Sequence, residues 1–204
     1  MTGLRAKHKA DRNQRILEAA ASLFRKVGYD GARMEKIAAL AEVSVGTIYN
    51  YYQNKGDILV AIVSTEVHEV LRAGHRIITK PPRHVDRAVD ALIAAYIEHS
   101  LVYLSKEMWR QAMATSTQQP DSPFGKTYAD LDRALAEQTC ALIVKLRDLG
   151  LVRGDIDGRG VGEMIFNNMN MMFVEFVKRE AMTIRDLRAT INRQNRTLMQ
   201  AISK

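Results

Sequence analysis

The stretch Met34–Leu59, MEKIAALAEVSVGTIYNYYQNKGDIL, holds two short helical segments separated by a tight turn. Its first segment predicts a helix, because apolar residues recur at i, i+3, i+4 and i+7; they are Met34, Ile37, Ala38 and Ala41. Glu42 and Val43 interrupt this pattern, and Ser44 can cap a second helix by accepting one of its backbone N–H groups. Two helices joined so closely expose one face of the second helix. This is the helix-turn-helix arrangement that presents a helix to a groove of DNA.

The second segment has an inner and an outer side. Ile48 and Tyr52 are four residues apart, so both can face the interior of the domain. The other side of the helix then carries small, hydroxyl-bearing and amide side chains, namely Val45, Gly46, Thr47, Asn50 and Tyr51. We expect the inner side to be core and the outer side to be available for contact.

These residues resemble the DNA-binding segment of the TetR-like (tetracycline-repressor-type) transcriptional regulators. The resemblance covers roughly residues 11–62 and depends on the joint spacing of many features. They are Ile16-Leu17-Glu18-Ala19-Ala20, Leu23-Phe24, Gly28-Tyr29, Ile37-Ala38, Ala41-Glu42-Val43-Ser44, Gly46-Thr47-Ile48-Tyr49, Tyr51-Tyr52, Lys55 and Leu59. Beyond this segment, only the helical character and the length of the chain are similar to the family.

The resemblance implies an all-α fold of about nine helices. Residues 1–54 would form a three-helix helix-turn-helix DNA-binding domain. Residues 55–204 would form a larger helical domain for effector binding and dimerisation, with 55–78 as a connecting helix. The chain has 204 residues, which is enough for such an arrangement with a sizeable core.

The same resemblance implies which residues meet DNA. They are Arg33, Ser44, Val45, Gly46, Thr47, Tyr49, Asn50, Tyr51 and Lys55. Asn50 has the paired donor and acceptor that suit adenine, and Thr47 can offer a hydroxyl or a methyl group to a base edge. Val45 departs from the family, which often has lysine there, and a contact to a thymine methyl is its alternative.

Two further departures lie around the first helix of the motif. Arg33 stands where the family usually has threonine or serine, and it cannot cap a helix because its side chain has no acceptor. Glu42 stands where the family usually has glycine. A left-handed backbone there would cost about 1 kcal/mol.

Composition is that of an ordinary globular protein, with 47% hydrophobic and 26% charged residues. The net charge of +7 and the pI of about 9.6 favour polyanionic partners without identifying one. The single cysteine, Cys140, excludes an internal disulfide and favours a reducing compartment. No apolar run reaches the roughly 18 residues of a membrane span. We therefore expect a cytoplasmic protein that has no membrane partner.

Periodicity and breakers outline the remaining helices. Residues 1–10 hold basic residues and few apolar ones, so a mobile arm is expected, either merely solvated or reaching DNA. The predicted helices then cover 11–27, 34–41, 45–51, 55–78, 84–104, 105–117, 123–150, 161–180 and 183–202. Thr183 and Asp186 predict a capping box at the start of the last helix.

The last two helices suggest a second copy of the chain. The segment 161–180 is apolar nearly all the way round, so it must be buried on more than one side. The family resemblance likewise implies homodimerisation through the last two helices. The asparagines of this segment can pair at such an interface or with neighbours, or they can face a ligand cavity.

No catalytic motif is present, and the histidines are scattered, so we expect neither an enzyme nor a cofactor or metal site. His68 and His75 are seven residues apart, and a solvated face explains them better than a metal pair. A pocket for a small-molecule effector is implied mainly by the resemblance. Its candidate lining is Tyr96, His99, Tyr103, Met108, Trp109, Met113, Phe124, Tyr128, Cys140 and Asn168. Each of these side chains could instead be core.

The sequence therefore predicts a transcriptional regulator, most simply a repressor. A homodimer would bind a palindromic operator in double-stranded DNA and be released by a small-molecule effector. The alternative is a small-molecule-binding helical enzyme or carrier with a vestigial DNA-binding head. A membrane-surface protein is a third reading, and the lack of a strongly basic amphipathic helix argues against it.

Overall fold

The computed structural model describes residues 2–204, apart from the side chains of residues 2, 4 and 5. Nine helices account for most of this range: α1 (Thr2–Gly31), α2 (Met34–Leu40), α3 (Val45–Tyr49), α4 (Lys55–Thr79), α5 (Val85–His99), α6 (Lys106–Gln118), α7 (Pro123–Asp148), α8 (Gly158–Lys178) and α9 (Ile184–Ile202). Among the described residues, the only β feature is an isolated antiparallel bridge between Val152 and Ser203. The predicted all-α fold class is therefore confirmed.

The N-terminal segment differs from the prediction. Met1 lies outside the described residues, but residues 2–10 continue α1 and do not form an irregular arm. Alanine, lysine and arginine in this segment are good helix formers even without an apolar stripe. The Tyr51 hydroxyl also donates to the carbonyl of Lys9 at 3.3 Å, which holds this part of α1 beside α3.

Gly28 breaks α1 near its end, as expected from its position in the sequence. Its backbone is non-helical (φ 76, ψ 163), a conformation that favours glycine. The backbone N–H of Tyr29, which the break leaves without a helical partner, donates to Glu107 Oε1 of α6 at 3.1 Å. Helix α6 therefore belongs to the packing around α1.

Packing divides the chain into two compact units, each with its own core. The first comprises residues 1–65 and 103–128, and the second comprises residues 66–102 and 129–204. Phe24, Ile37 and Ile48 are fully buried in the first unit and come from α1, α2 and α3. The functional boundary predicted at residue 54 stays a prediction. It does not coincide with a boundary between the packing units, because the first unit continues to residue 65.

Helices α5, α8 and α9 form the core of the second unit. Leu92, Phe176 and Ile191, one from each helix, are almost completely buried. The capping box predicted for α9 is present: the Thr183 hydroxyl accepts from the backbone of Asp186, and the Asp186 carboxylate accepts from the backbone of Thr183. Two reciprocal bonds thus fix the start of α9.

Helices α7 and α8 approach each other closely at two glycines of α8. A Cβ atom built on Gly162 would lie 2.4 Å from Cys140 Cα, and one built on Gly158 would lie 3.4 Å from Val144 Cα. Because backbone cannot move aside as a long side chain can, Gly162 has room for hydrogen alone.

No helix in the part of the chain that the structure describes combines the length and the apolar character needed to cross a membrane.

Candidate functional site

The turn between α2 and α3 has the conformation and the cap that the sequence predicts. Glu42 adopts a positive φ of 54°, which is uncommon for a residue with a side chain. The Ser44 hydroxyl then accepts the backbone N–H of Thr47 at 3.1 Å and caps α3. Arg33 precedes α2 and forms no capping hydrogen bond with its side chain. These local features set the direction in which α3 leaves the turn.

The outer side of α3 is open. We call its five residues Val45, Gly46, Thr47, Tyr49 and Asn50 the recognition face. Val45 is 39% exposed and Tyr49 48% exposed, both high for large side chains in a folded chain. A Cβ atom on Gly46 would have no neighbour closer than Ser44 Oγ at 4.0 Å. Asn50 is exposed at the end of the helix.

The inner side of α3 is filled, as expected. Ile48 is fully buried and Tyr52 is 9% exposed. The Tyr52 hydroxyl donates to Asn13 Oδ1 at 2.7 Å, and burial raises the pKa of this phenol. Because Tyr52 is held on α1 by a hydrogen bond as well as by packing, α3 has a fixed rotation about its axis.

Lys55, predicted to contact DNA phosphates, has partners inside the protein. Its Nζ donates to the carbonyls of Tyr29 and Asp30 at 2.8 and 3.2 Å. The same ammonium lies 4.8 Å from the centroid of the Tyr29 ring. Lys55 therefore joins the start of α4 to the end of α1, and its predicted DNA contact stays a prediction.

This part of the chain is similar to known bacterial regulators. Residues 16–62 match the model of the tetR family of bacterial regulatory proteins. The HTH-type regulator YhgD of Bacillus subtilis is 35% identical over 94 residues, 45% of this chain and 49% of YhgD. The HTH-type repressor KstR of Rhodococcus jostii is 37% identical over 60 residues, 29% of this chain and 28% of KstR. The chain thus matches half or less of the length of these relatives.

Solved structures extend the similarity of fold to nearly the whole chain. Thermus thermophilus FadR, a TetR-family repressor in complex with lauroyl-CoA, has a TM-score of 0.64 at 20% identity and covers 92% of this chain and 93% of its own. A transcriptional regulator of Saccharomonospora viridis in complex with choline has a TM-score of 0.74 at 18% identity, with 96% and 99% covered. At these identities the similarity concerns the fold.

An exposed, capped second helix after a tight turn is the helix-turn-helix arrangement, and the family that this segment matches consists of DNA-binding regulators and not of enzymes. The N-terminal segment, residues 16–62, is similar to the tetR family of bacterial regulatory proteins, and the helices of the chain follow the architecture of TetR-family structures. The resemblance predicted from the sequence is thereby confirmed.

The ten candidate effector residues are divided between the two packing units. Tyr103, Met108, Trp109, Met113, Phe124 and Tyr128 lie in the first unit, and Tyr96, His99, Cys140 and Asn168 lie in the second. In the first, Phe124 and Tyr128 stack with ring centroids 6.5 Å apart, and Met108 and Trp109 are buried. The effector-binding role of the ten residues stays a prediction.

Tyr96 is part of a polar chain across three helices of the second unit. Its hydroxyl donates to Gln138 Oε1 of α7 at 2.6 Å, and Gln138 Nε2 donates to the carbonyl of Leu71 in α4 at 2.9 Å. Burial raises the pKa of Tyr96, so the hydroxyl keeps its proton. Gly74 of α4 packs against the Gln138 side chain: a Cβ atom built on Gly74 would lie 2.0 Å from Gln138 Oε1.

His99 is held between two carboxylates of α4. Its Nδ1 lies 2.6 Å from Glu66 Oε1, and its Nε2 lies 3.0 Å from Glu69 Oε2. The ring therefore ties the end of α5 to α4.

Cys140 and Asn168 also have structural partners. The Cys140 thiol lies 3.4 Å from the carbonyl of Arg159, and burial raises its pKa, which disfavours the reactive thiolate. Asn168 Nδ2 donates to Asn195 Oδ1 at 3.1 Å. Of the explanations that the sequence left open, Asn168 fits pairing with a neighbouring helix of the same chain.

Asp132 of α7 was not anticipated from the sequence. Among the described residues, no hydrogen bond or ion pair reaches its carboxylate. Burial raises its pKa from 3.8 to about 6. Asp132 is half-buried, and a carboxylate that is partly removed from water without a partner is costly, so such groups often mark binding sites. Nothing in its sequence neighbourhood distinguishes it from Asp130, which is exposed and pairs with Arg133.

Proposed function

We propose that the protein is a transcriptional repressor that binds a palindromic operator as a homodimer and leaves it when a small-molecule effector binds. The exposed recognition face of α3 is the observation that carries this proposal. Val45 and Tyr49 are large side chains that the chain itself does not cover. A duplex edge in the major groove would cover them, and two-fold symmetry would place the half-sites about 34–36 Å apart.

Binding of the full chain to DNA is the first test. A duplex is selected from a random-sequence library, and its affinity is measured by fluorescence anisotropy at several salt concentrations. Each neutralised phosphate contributes about −0.9 to the slope of log K against log salt. A dimer that touches roughly six phosphates should therefore give a slope of about −5. A selection that enriches no sequence, or an affinity independent of salt, would contradict the proposal.

Two substitutions distinguish residues that contact DNA phosphates from residues that contact bases. Tyr49→Phe removes a hydroxyl that we assign to a phosphate, so it should weaken binding to all duplexes alike. Asn50→Ala removes the amide that we assign to a base, so it should change which sequences are preferred. If Asn50→Ala selects the same sequence as the wild type, Asn50 does not read a base.

Dimerisation is assigned to the outer faces of α8 and α9. Met164 and Met171 are seven residues apart on α8 and are 60% and 58% exposed, so they share one apolar surface. On the neighbouring helix, Gln194 Nε2 lies 3.5 Å from Met172 Sδ. Unpaired methionines on one stripe are suited to a partner surface.

Sedimentation velocity of the full chain tests this assignment. The wild type should sediment as a dimer, and Met164→Lys with Met171→Lys should give a monomer, because two charges would have to be buried. Leu149→Lys is the matched control, since Leu149 is 51% exposed at the end of α7, away from this stripe. A monomeric wild type would refute the homodimer.

The effector is assigned to the second unit through Asp132. A cation would give this carboxylate the partner that it lacks among the described residues, so choline is the first probe and lauroyl-CoA the second. We expect choline to raise the melting temperature of the wild type and to weaken DNA binding, and Asp132→Asn to abolish both effects. Stabilisation by lauroyl-CoA alone would reject a cationic effector.

Helix α4 is the element that we assign to transmission of the effector signal. It is one continuous helix, Lys55–Thr79, that begins at the Lys55 contact with α1 and includes the Leu71 carbonyl bound by Gln138. An effector shifts the equilibrium only by its preference for the released state. The cytoplasmic location expected from the sequence stays a prediction.

A further inference from the structure

A small cleft lies between α5 and α9, away from the residues discussed so far as sites. It encloses about 180 Å³, and its lining includes Val89, Asn195, Arg196 and Met199. This volume corresponds to about six water molecules, so the cleft has room for a small organic molecule and not for a drug-sized one. Both walls of the cleft belong to the second packing unit.

Asn195 is the reason to expect a ligand in this cleft. It is 6% exposed, and its Oδ1 accepts a hydrogen bond from Asn168 Nδ2 at 3.1 Å. Its Nδ2 is buried and has no acceptor among the residues that the structure describes. A buried donor without an acceptor is costly and is uncommon in folded proteins. An acceptor atom of a bound molecule would remove this cost.

The two carboxylates of the cleft are already compensated. Asp90 accepts from Arg188 Nη2 at 2.8 Å and from Asn192 Nδ2 at 2.6 Å. Burial alone would raise the pKa of Asp90, but the hydrogen bonds outweigh burial and lower this pKa. Asp86 lies in the first turn of α5, where the positive end of the helix dipole favours an acidic side chain. Neither carboxylate therefore requires a cationic ligand.

Two arginines of the cleft have no such compensation. Arg87 of α5 and Arg196 of α9 are exposed, and no hydrogen bond or ion pair joins either guanidinium to another described residue. Guanidinium groups bind carboxylates through paired N–H donors. Val89 and Met199, each 3% exposed, form the apolar part of the lining. The cleft therefore combines donors for an anion with a surface for a short hydrocarbon chain.

We propose that this cleft binds a small carboxylate that carries a short hydrocarbon chain. One carboxylate oxygen accepts from Asn195 Nδ2, and the guanidinium groups of Arg87 and Arg196 neutralise the negative charge. The hydrocarbon chain packs on the apolar part of the lining. The site shares no residue with the recognition face and does not include Asp132, so it goes beyond the proposed function.

Butyrate is the first probe, because it joins a carboxylate to a short chain. Isothermal titration calorimetry of the full chain at constant ionic strength measures its affinity. Butyramide removes the charge, butylammonium reverses the charge, and inorganic phosphate keeps a negative charge without the chain. We expect saturable binding of butyrate at a single site per chain, and binding weaker by about tenfold or more for the other three. Equal affinity for phosphate would overturn the role of the chain.

Variants of the cleft locate the bound carboxylate. Asn195→Leu removes the donor and keeps a side chain of similar size, and Arg196→Gln removes a charge from an exposed position. Each should weaken butyrate binding about tenfold. Arg193→Gln is the matched control, because Arg193 is also an exposed arginine of α9 but does not line the cleft. Its affinity for butyrate should equal that of the wild type.

Circular dichroism verifies the fold of each variant. If Asn195→Leu does not fold, the double variant Arg87→Gln with Arg196→Gln decides the question, since both positions are exposed. These titrations contain no DNA, so they test the cleft independently of the proposed repressor function.

The outcomes are distinct. Butyrate binding that is weakened in the cleft variants and kept in Arg193→Gln supports the site. Absence of saturable butyrate binding, or binding that every variant keeps, overturns it. Binding of butylammonium that Asn195→Leu abolishes would show that the cleft takes a cation, and the inference would then be wrong.

Discussion

Two glycines, Gly46 in α3 and Gly162 in α8, illustrate a contrast between the two packing units. A Cβ atom on Gly46 would meet no atom closer than 4.0 Å, whereas one on Gly162 would lie 2.4 Å from the backbone of α7. Beside Gly46 there is free space at the surface of the protein, whereas between Gly162 and α7 there is no space for a side chain. Their effects on substitution should therefore differ in kind: one should concern a partner molecule and the other the fold.

The side chains around the two glycines follow the same division. Near Gly46, Val45 and Tyr49 remain largely exposed, although covering them would be favourable. Near Gly162, Cys140 and Ile165 are almost completely buried. The recognition face thus keeps large side chains exposed to solvent, whereas the side chains at the α7–α8 contact are buried and contribute to stability.

The largest effect is expected for Gly162→Ala. The added methyl group would overlap the backbone of Cys140, so the two helices must separate, which costs about 3 kcal/mol. Higher helix propensity of alanine offsets up to about 1 kcal/mol of this. Urea unfolding should show a net loss of about 2 kcal/mol. A variant as stable as the wild type would mean that the α7–α8 contact is looser than the structure has it.

A pH-dependent effect of similar size is expected for Asp132→Asn. Because burial raises the pKa of this carboxyl from 3.8 to about 6, ionisation in the folded state is disfavoured. The cost is absent below pH 3.8, grows as the pH rises and is complete above about pH 6. The variant should therefore gain on the order of 2 kcal/mol relative to the wild type between pH 4 and pH 7.5.

Unfolding at both pH values measures this gain, and the comparison cancels the constant cost of burying the amide. Asp130→Asn on the same helix is the control, since Asp130 is exposed and should show a change within about 0.5 kcal/mol. A gain independent of pH would show that Asp132 is not desolvated.

An effect of about 1 kcal/mol is expected for Ser44→Ala, which removes the cap of α3. Arg33→Ala is the matched comparison, because Arg33 occupies the corresponding position before α2 and forms no capping bond. Its stability should change by less than about 0.5 kcal/mol. Equal losses for the two variants would show that the Ser44 bond contributes nothing.

The smallest effect on stability is expected for Gly46→Ala. Alanine fits the helix and meets no neighbour, so stability should be unchanged or rise by up to about 1 kcal/mol. Affinity for the selected duplex should fall, because the methyl group would occupy space that the DNA needs. Unchanged affinity would remove Gly46 from the recognition face and weaken the contrast with Gly162.

Local hydrogen-bond chemistry was the part of the structure most readable from the sequence. Ser44 with Thr47 and Thr183 with Asp186 are pairs three residues apart, and both form the predicted caps. The start of α4 at Lys55 was also predicted, as was its end near Pro81, observed at Thr79. These features depend on residues close in the chain, so one sequence suffices to find them.

Features that depend on distant residues were not readable. Apolar periodicity continues through Leu101 and Leu104, yet α5 ends at His99, whose ring lies between Glu66 and Glu69 of α4. Nothing near Lys55 indicates that its ammonium meets the carbonyls at the end of α1. Likewise, the desolvation of Asp132 depends on the packing around it, and the neighbouring sequence does not indicate it.

The antiparallel bridge between Val152 and Ser203 has a mechanical consequence. Arg153 donates its backbone N–H to the Ile202 carbonyl at 2.9 Å, and Lys204 donates to the Leu151 carbonyl at 3.1 Å. With these bonds at its end and the capping box at its start, α9 is clamped at both extremities. Helix α9 cannot slide lengthwise without moving the α7–α8 connection, so any displacement of this helix must proceed by tilting or rolling.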